Sequence, residues 1–287
     1  MKNVGFVGVG SMGKGMCENL IKNGYALAVF DISKAALSYF EGKASIMPSS
    51  LEAFKVSEVT FLALPNSDVV EKIVGEFLDY GVKNKIIIDT STSYPLSTKE
   101  LYKKVKDAGG KYIDAPLMAG PAEAASGTLV AMVSGDKQDI DEVDSLFKCY
   151  CKSYDYVGNS GNAHMIKIFQ NFVGLTYALI LGQLFPLVEK LGLDSKELQK
   201  MMDNEFFSNW VYRFYSEKFV NKDYRIDFAL ELAYKDLGYM KKMYDEFGVP
   251  AFALDGALDL LKLSIEDGKG KLDYSQMSAT VHKLLNK

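Results

Sequence analysis

The chain has 287 residues, of which 48% are hydrophobic and 24% are charged. This composition is typical of a folded globular protein, which excludes a disordered chain, and the length suits two domains of ordinary size. The formal net charge of −4 has the wrong sign for a surface that binds nucleic acid. The longest apolar stretch, residues 172–188, is interrupted by polar residues and proline, so it predicts a buried helix rather than a membrane span. No signal-peptide pattern opens the sequence, and we expect a cytoplasmic protein.

The first half of the sequence alternates short β-branched runs with segments of helical periodicity. The predicted strands cover residues 4–9, 26–30, 59–64, 85–89, 111–115, 129–134 and 154–157. The predicted helices between them cover residues 12–22, 68–80, 96–108 and 140–147. This alternation predicts a mainly parallel sheet with helices on both faces.

After Gly161 the pattern becomes entirely helical. A long apolar helix is predicted over residues 163–191, with a bend at Pro186, because proline lacks the backbone N–H. Further helices are predicted over residues 194–204, 210–219, 228–247, 252–266 and 275–285. We therefore divide the chain into an α/β domain, residues 1–162, and an all-helical domain, residues 163–287, that includes the long interdomain helix.

A glycine-rich loop follows the first predicted strand. Gly8, Gly10 and Gly13 form a G-x-G-x-x-G pattern, and a predicted helix opens within it. In this setting the first glycine permits a tight turn, the second lets the backbone approach a pyrophosphate, and the third allows close helix packing. Because the helix N-terminus attracts the anion, the pattern predicts a dinucleotide site that includes Ser11 and Met12.

The second predicted strand ends at Asp31, eighteen residues after the last glycine of the loop. A carboxylate in this position accepts hydrogen bonds from the adenosine ribose hydroxyls and repels a 2′-phosphate. We therefore expect NAD rather than NADP as the cofactor. Two alternatives stay open: Asp31 could serve only to cap the next helix, and the nearby Lys34 could tolerate a phosphate.

The cysteines and histidines give no pattern of metal ligands. The three cysteines are Cys17, Cys149 and Cys151, and the only histidines are His164 and His282. An odd number of cysteines without a secretory signal argues against a disulfide framework. Since no Cys/His pair completes a zinc site, we expect no metal and ordinary buried thiols.

Several motifs, spaced along nearly the whole chain, resemble those of one enzyme family. The segment from Gly8 to Met16, followed by Asn19-Leu20, is similar to the N-terminal signature of the β-hydroxyacid dehydrogenases. The later motifs keep the family's order: Leu64-Pro65-Asn66-Ser67, Asp89-Thr90-Ser91-Thr92 with Pro95, Asp114-Ala115-Pro116, Gly127-Thr128-Leu129, Gly158 and Gly161 before Lys167 and Asn171, and Lys235-Asp236-Leu237. Several motifs in one order are far more specific than any one of them.

The resemblance implies a Rossmann-like dinucleotide-binding domain followed by a helical domain, with the active site in the cleft between them. It also implies homodimers or homotetramers that pair through the helical domain. Beyond the glycine-rich loop and Asp31, the cofactor residues that it implies are Leu64, Pro65, Asn66, Thr92 and Lys235. The substrate residues that it implies are Met118, Ala119, Gly120, Lys167, Asn171 and Lys235.

The resemblance assigns proton transfer to Lys167. Hydride transfer to a carbonyl needs a proton donor at the developing alkoxide, and the reverse reaction needs a base in the same place. Desolvation in a closed cleft would lower the lysine pKa from its usual value of about 10.4. Asn171 lies four residues later, on the same helix face, where it would hold the lysine or the substrate. His164 has no motif to support a catalytic role, and we expect it to be structural.

The substrate loop departs from the family pattern D-A-P-V-S-G-G-x-x-G-A. Met118 replaces the serine that contacts the substrate carboxylate, while Ala119 and Glu123 each replace a glycine. Methionine offers no hydrogen-bond donor and fills more volume. We therefore expect a bulkier or less acidic substrate, or a substrate carboxylate held elsewhere by one of the two arginines, Arg213 and Arg225.

The expected function is that of an oxidoreductase that transfers a hydride between NAD(H) and a small hydroxy acid or its semialdehyde. One alternative is an imine reductase of the same architecture, although relatives that reduce imines usually replace the lysine that stands here as Lys167. The other is a non-catalytic NAD-binding sensor or interaction module. The expected partners are a small substrate and further copies of the chain, and neither nucleic acid nor a membrane.

Overall fold

A computed structural model describes residues 3–286 of the chain. Tertiary contacts divide the chain into two compact units, with the division between Lys167 and Ile168. The first unit, which we call the α/β unit, holds every strand of the described residues, and the second, the helical unit, is formed by helices alone. The predicted functional boundary at residue 162 stays a prediction.

The α/β unit is built on a six-stranded parallel sheet and a smaller three-stranded sheet. The strands are β1 Val4–Val7, β2 Leu27–Phe30, β3 Ser45–Ile46, β4 Val59–Leu62, β5 Ile86–Asp89, β6 Lys111–Asp114, β7 Leu117–Met118, β8 Leu129–Val133 and β9 Cys151–Tyr156. The large sheet has the order β3-β2-β1-β4-β5-β6, and the small sheet has the order β7-β8-β9. The order in which strands are added to the sheet reverses between β1 and β4. Doubly wound sheets bind their ligands at such a point of reversal.

Fourteen α-helices cover the described residues. Those of the α/β unit are α1 Ser11–Lys22, α2 Lys34–Ser38, α3 Ser50–Lys55, α4 Ser67–Tyr80, α5 Pro95–Asp107, α6 Pro121–Ser126, α7 Lys137–Glu142 and α8 Asp144–Tyr150. The next helix, α9 Asn162–Lys190, crosses the division between the units, and α10 Ser195–Met202, α11 Trp210–Asn221, α12 Leu230–Glu246, α13 Phe252–Ser264 and α14 Met277–Leu285 follow it. A π-helical turn, Ile265–Lys269, and a 3₁₀ turn, Tyr274–Gln276, separate the last two.

Apolar side chains cover both faces of the large sheet. Phe6 and Phe61 belong to a core cluster on one face, whereas Val7 and Leu62, the next residues on the same strands, belong to a cluster on the other. Strands β1, β4 and β5 are fully buried along their length, as expected for parallel strands with helices on both sides. The predicted Rossmann-like fold is therefore confirmed in the α/β unit.

The predicted elements differ from the structure at their ends and in the short helices. Helices α3 and α6 were not predicted, and the single helix predicted over residues 140–147 is two helices, α7 and α8. The strand predicted over residues 4–9 stops at Val7, because Gly8 adopts φ +96° and turns the chain. The predicted strand at residues 154–157 begins three residues earlier, at Cys151. Two strands of only two residues, β3 and β7, were not predicted, since so short a run carries no periodicity.

Helix α9 is long and apolar enough to cross a membrane by length and composition, and 44% of its most apolar window is buried inside the protein. It runs without interruption through Pro186. The side chains of Val173, Ile180 and Leu187 remain exposed along the helix. The prediction of a buried helix therefore holds for part of its surface only.

Candidate active site

The glycine-rich loop has the shape that a dinucleotide needs. A Cβ atom on Gly8 would lie 2.2 Å from the carbonyl oxygen of Ala63, and one on Gly13 would lie 2.0 Å from that of Gly8. Gly10, in contrast, faces open space within 4 Å. No side chain of the described residues caps the first turn of α1, so its N–H groups can bind an anion.

Asp31 braces this loop from the end of β2. Its Oδ2 accepts a hydrogen bond from the backbone N–H of Val9 at 2.8 Å, and its Oδ1 accepts one from that of Ser33 at 2.7 Å. The capping side chain of α2 is Ser33, which accepts from Ala36 N at 3.2 Å. Each oxygen of Asp31 keeps a further lone pair for a ribose hydroxyl, so the brace and a cofactor contact are compatible.

The loops that follow β4 and β5 are joined to each other. The backbone N–H of Leu64 donates to Ser91 Oγ at 2.9 Å. Asn66 uses its side-chain oxygen to cap α4, accepting from Val69 N at 3.0 Å. Thr92 is half-buried between the buried residues Ser91 and Ser93. The two loops predicted to line the cofactor are therefore joined by a hydrogen bond.

Two buried carboxylates stand side by side at the ends of β5 and β6, where Asp89 pairs with Asp114 in the sheet register. Asp89 accepts from Ser91 N at 2.9 Å, from Ser93 Oγ at 2.9 Å and from the Tyr112 hydroxyl at 3.1 Å. Burial, and then the charges of Asp89 and Asp114, raise the pKa of Tyr112 well above its usual value. Tyr112 is therefore a hydrogen-bond donor throughout the working pH range.

Asp114 holds the beginning of α9, the helix that carries Lys167. It accepts from Ser160 Oγ at 2.9 Å, from Gly161 N at 3.0 Å and from His164 N at 3.4 Å, and the hydroxyl of Ser134 also donates to it. This carboxylate, distant in sequence, satisfies backbone donors that a helix normally leaves open at its first turn. The resemblance placed Asp114 at the start of a substrate motif, but its side chain is fully engaged here.

His164 lies on the same first turn and is completely buried. Its Nε2 is 3.0 Å from the carbonyl oxygen of Ser91, and its Nδ1 is 2.8 Å from Thr98 Oγ1. The carboxylate of Asp89 lies 3.9 Å from Nε2. The expectation that His164 packs inside the protein agrees with this geometry, although its hydrogen bonds to the loop after β5 were not foreseen.

The predicted substrate loop connects β7 to α6. Met118 ends the strand and is half-buried, Ala119 has φ +79°, and Gly120 is the N-cap residue of α6. The left-handed conformation at Ala119 is one that favours glycine, which agrees with the glycine of the family pattern at this position. Glu123 accepts a hydrogen bond from Gly120 N at 2.9 Å, so this departure from the pattern forms a cap for α6.

Helix α6 is clamped to α1, the helix of the glycine-rich loop. Asn19 Nδ2 donates to the carbonyl oxygens of Ala124 at 2.9 Å and Ala125 at 3.2 Å. A Cβ atom on Gly15 would lie 2.5 Å from the backbone of α6. The substrate loop is therefore fixed to the cofactor loop through backbone contacts that only glycine permits.

The helical unit holds the remaining predicted site residues. Asn171 Nδ2 donates to Asp236 Oδ2 at 2.6 Å, and Lys235 Nζ lies 3.1 Å from Asp236 Oδ1. Asn171 and Lys235 are therefore brought to the two oxygens of one buried carboxylate. The arginines have a different role: Arg213 pairs with Asp203 and Arg225 with Asp223, each at 3.1 Å, with mainly exposed side chains.

Sequence reasoning missed three side chains that organise this region. His164 was expected to be structural with no contact specified, and Asp114 and Asn19 were named only as parts of motifs. A sequence signal existed for a fourth, because Gly120-Pro121 followed by Glu123 is the pattern of a capped helix start. The three others bond across long sequence separations, which periodicity does not reveal.

The chain matches known proteins over nearly its whole length. Residues 3–158 match the NAD-binding domain of 6-phosphogluconate dehydrogenase, and residues 161–281 match the NAD-binding domain of NADP-dependent 3-hydroxyisobutyrate dehydrogenase. Among curated proteins, the mitochondrial 3-hydroxyisobutyrate dehydrogenase of Drosophila melanogaster is 30% identical over 96% of this chain and 87% of its own.

Two solved structures share the fold to different degrees. The 3-hydroxyisobutyrate dehydrogenase of Mycobacterium tuberculosis, solved with L-serine, has a TM-score of 0.88 at 24% identity and covers 98% of this chain and 99% of its own. An imine reductase from Pseudomonas sp. has a TM-score of 0.60 at 18% identity, over 98% of this chain and 99% of its own. With the match to the Drosophila enzyme, these findings agree with the motifs: the chain belongs to the β-hydroxyacid dehydrogenase family of nicotinamide-dependent oxidoreductases.

Proposed function

We propose that this chain is an NAD-dependent dehydrogenase that interconverts a small hydroxy acid and its semialdehyde, with Lys167 as the proton-transfer residue. The observation that supports this most directly is the buried attachment of the first turn of α9 to the loop after β5. His164, one turn before Lys167, bonds to Ser91 O and Thr98. The helical turn before Lys167, the proposed proton donor, is thereby bonded to the loop that contains Thr92.

In the reaction, the nicotinamide supplies or accepts the hydride when it is bound. In the oxidising direction, Lys167 Nζ takes the proton from the substrate hydroxyl as the C–O bond becomes a carbonyl, and in the reducing direction it returns that proton to the oxygen. Asn171 lies one helical turn further along α9 and orients the same substrate oxygen. Lys235, beside Asp236, supplies a second positive charge near the cofactor or the substrate.

The loop geometry supports NAD rather than NADP. Gly10, Ser11, Met12 and the first turn of α1 would hold the pyrophosphate, with Leu64, Pro65 and Asn66 along the cofactor. Asp31 keeps a negative charge at the end of β2, where the ribose hydroxyls of NAD would bind and a 2′-phosphate would be repelled. Lys34 is exposed on α2.

The substrate loop supports a substrate that places no carboxylate against Met118 and Gly120. Met118 offers no donor, and the N–H of Gly120 is already bonded to the carboxylate of Glu123. An incoming anion would lose that donor and meet the like charge of Glu123. Compact acids such as 3-hydroxyisobutyrate or serine would therefore be poor substrates, and longer or less polar hydroxy compounds and semialdehydes would be better.

The domain roles, oligomeric state and cellular site complete the proposal. Residues 1–162 would bind the cofactor, and residues 163–287 would contribute to substrate binding and to pairing with further copies as a homodimer or homotetramer. The exposed apolar residues of α9 support such pairing, because they need cover in water. We place the enzyme in the cytoplasm.

The decisive experiment measures NADH formation and consumption with a panel of short acids, longer hydroxy compounds and their aldehydes. We expect turnover of at least one uncharged or longer substrate. The Lys167→Ala variant should keep its fold and its NADH affinity, while kcat falls about 10²–10⁴-fold, the usual contribution of a positioned acid or base. Asn171→Ala should be less impaired, because asparagine positions the substrate without exchanging a proton.

The same panel separates the other functions. Tight NADH binding without turnover of any substrate would instead favour a sensor. Reduction of cyclic imines, added to the panel, by the unmodified enzyme would favour an imine reductase. Retention of most activity by the Lys167→Ala variant on its best hydroxy substrate would contradict the role of Lys167. A strong preference for 3-hydroxyisobutyrate or serine would contradict the argument from Met118 and Glu123.

A further inference from the structure

The buried contacts of His164 go beyond what packing requires. Its ring bridges two segments that follow β5, touching the loop at the carbonyl oxygen of Ser91 and the first turns of α5 at Thr98. A carbonyl oxygen only accepts hydrogen bonds, so Nε2 carries the proton and donates it. An apolar side chain of similar size would fill this space but would leave a buried carbonyl without its donor.

The loop after β5, which His164 contacts at Ser91, contains Thr92 and is also bonded to the segment that begins at Leu64. Ser91 uses its carbonyl oxygen for His164, its hydroxyl for Leu64 N and its N–H for Asp89, so each of its polar groups is engaged. Thr92 is the next residue along the chain. Movement of Ser91 would therefore displace Thr92 and the segment that begins at Leu64.

The other end of the connection is Lys167. Lys167 lies three positions after His164 on the helix, a rise of about 4.5 Å at 1.5 Å per residue. The backbone of the same turn is held independently, since Asp114 accepts from Gly161 N and His164 N and Ser134 accepts from Ala163 N. The side-chain bonds of His164 add a second attachment, which ties this turn to Ser91 and Thr98 and so fixes the direction in which the turn faces the loop after β5.

We propose that His164 is a positioning residue that fixes the orientation of Lys167 relative to the loop bearing Thr92, and so the geometry of hydride and proton transfer. This inference rests on the proposed role of Lys167. Acid–base and hydride transfer steps need the reacting atoms within a narrow range of distances, and a displacement of about 1 Å is enough to lower the rate about 10²-fold. Substrate and cofactor binding, which depend on many contacts, should be far less sensitive.

The test compares His164→Leu, which removes both hydrogen bonds, with His164→Gln, whose amide can donate to Ser91 O and accept from Thr98. We measure kcat per folded active site, the dissociation constant of NADH and the primary isotope effect with NADH deuterated at C4. In His164→Leu, kcat should fall about 10²-fold and the isotope effect on kcat should rise, because hydride transfer becomes rate-limiting. His164→Gln should recover at least about tenfold of the lost rate.

A matched control separates positioning from stability. Ser264 is also fully buried and bonds to a backbone carbonyl and a threonine hydroxyl, Leu260 O at 2.9 Å and Thr280 Oγ1 at 3.0 Å. Ser264→Ala should lower the melting temperature without changing kcat or the isotope effect. If His164→Leu does not fold, Thr98→Val removes one of the two hydrogen bonds. It should lower kcat and raise the isotope effect on kcat, each by less than His164→Leu would.

Two outcomes would overturn the inference. A variant at His164 whose kcat and isotope effect match those of Ser264→Ala would show a structural role alone, and would leave the proposed function standing. Absence of turnover by the unmodified enzyme on the whole panel would overturn the proposed function and this inference with it.

Discussion

Each of the two units contains a buried carboxylate that gathers several donors, but the two carboxylates organise different things. In the α/β unit, Asp114 joins β6, the segment before α9 and the end of β8. In the helical unit, Asp273 accepts from Asp227 N at 2.9 Å and from Ser275 Oγ at 2.6 Å, and Lys218 Nζ lies 3.2 Å away. The first carboxylate holds the helix of the proposed proton donor, whereas the second ties chain segments between helices.

This difference shows how polar order is distributed in the molecule. The α/β unit concentrates its buried hydroxyls and carboxylates at the carboxyl ends of β5 and β6, where consecutive loops need fixed positions. The helical unit leaves much of its apolar surface exposed, including Phe206, Trp210 and Phe252. The buried polar network and the exposed apolar surface thus lie in separate parts of the chain.

The largest expected effect is that of Asp114→Asn. The amide would place an N–H against donors that now face a carboxylate, and each buried donor left without an acceptor costs about 1–3 kcal/mol. Urea unfolding should show a loss of at least about 3 kcal/mol, and kcat per folded molecule should fall as the start of α9 loosens. Asp273→Asn is the matched change in the helical unit, and it should lose stability with kcat retained. Equal loss of kcat in both variants would contradict the comparison.

A smaller effect concerns acid stability. Burial alone would raise the pKa of Asp273, but hydrogen bonds from Ser275 and the backbone, with the charge of Lys218, outweigh it and lower the pKa. A lowered folded pKa gives stability that is complete above the unfolded value, about 3.9, and is lost as pH falls through the folded value. The stability gap between the unmodified protein and Asp273→Asn should be widest at pH 6 and shrink below pH 4. At pH 6 this difference in the free energy of unfolding should be about 1.5–3 kcal/mol, the usual contribution of a charged hydrogen bond. A gap independent of pH would show that Asp273 is not the titrating group.

The smallest expected effect concerns Asp31, whose negative charge and whose hydrogen bond from Val9 N can be removed separately. Asp31→Asn removes the charge but keeps an oxygen that can accept from Val9 N, so the preference for NAD should narrow by about tenfold, equivalent to about 1.4 kcal/mol. Asp31→Ala loses the brace as well and should raise KM for both cofactors. The measurement is kcat/KM with each cofactor. Equal values for NAD and NADP in the unmodified protein would contradict the assignment.

The sequence predicts the parts of this molecule that depend on local pattern. The glycine-rich loop, the parallel sheet and the helical second half all follow from spacing and from residues such as Gly8 that one conformation requires. The family followed from motifs in a fixed order. The short strands β3 and β7 and the exact ends of helices could not be predicted, because pairing with distant segments decides them.

For the candidate site, the resemblance predicts a set of residues but not the network that joins them. It assigns Lys167 and Asn171, and their spacing places both on one face of a helix. The bonds of Asp114 to Gly161 and of His164 to Ser91 join residues 47 and 73 positions apart, and no periodicity encodes them. The sequence shows Glu123 only as a departure from the family pattern. Its hydrogen bond to Gly120 N, which bears on the charge of the substrate, is visible only in the structure.

The clamp between α1 and α6 limits how this enzyme could be redesigned. Gly15 leaves no room for a Cβ atom against the backbone of α6, and Asn19 holds two carbonyls of that helix. A protein engineer who wishes to enlarge the proposed substrate loop therefore cannot do so by sliding α6 outward without disturbing α1, the helix proposed to bind the pyrophosphate. Libraries should vary the three residues from Met118 to Gly120 and leave Gly15 and Asn19 unchanged.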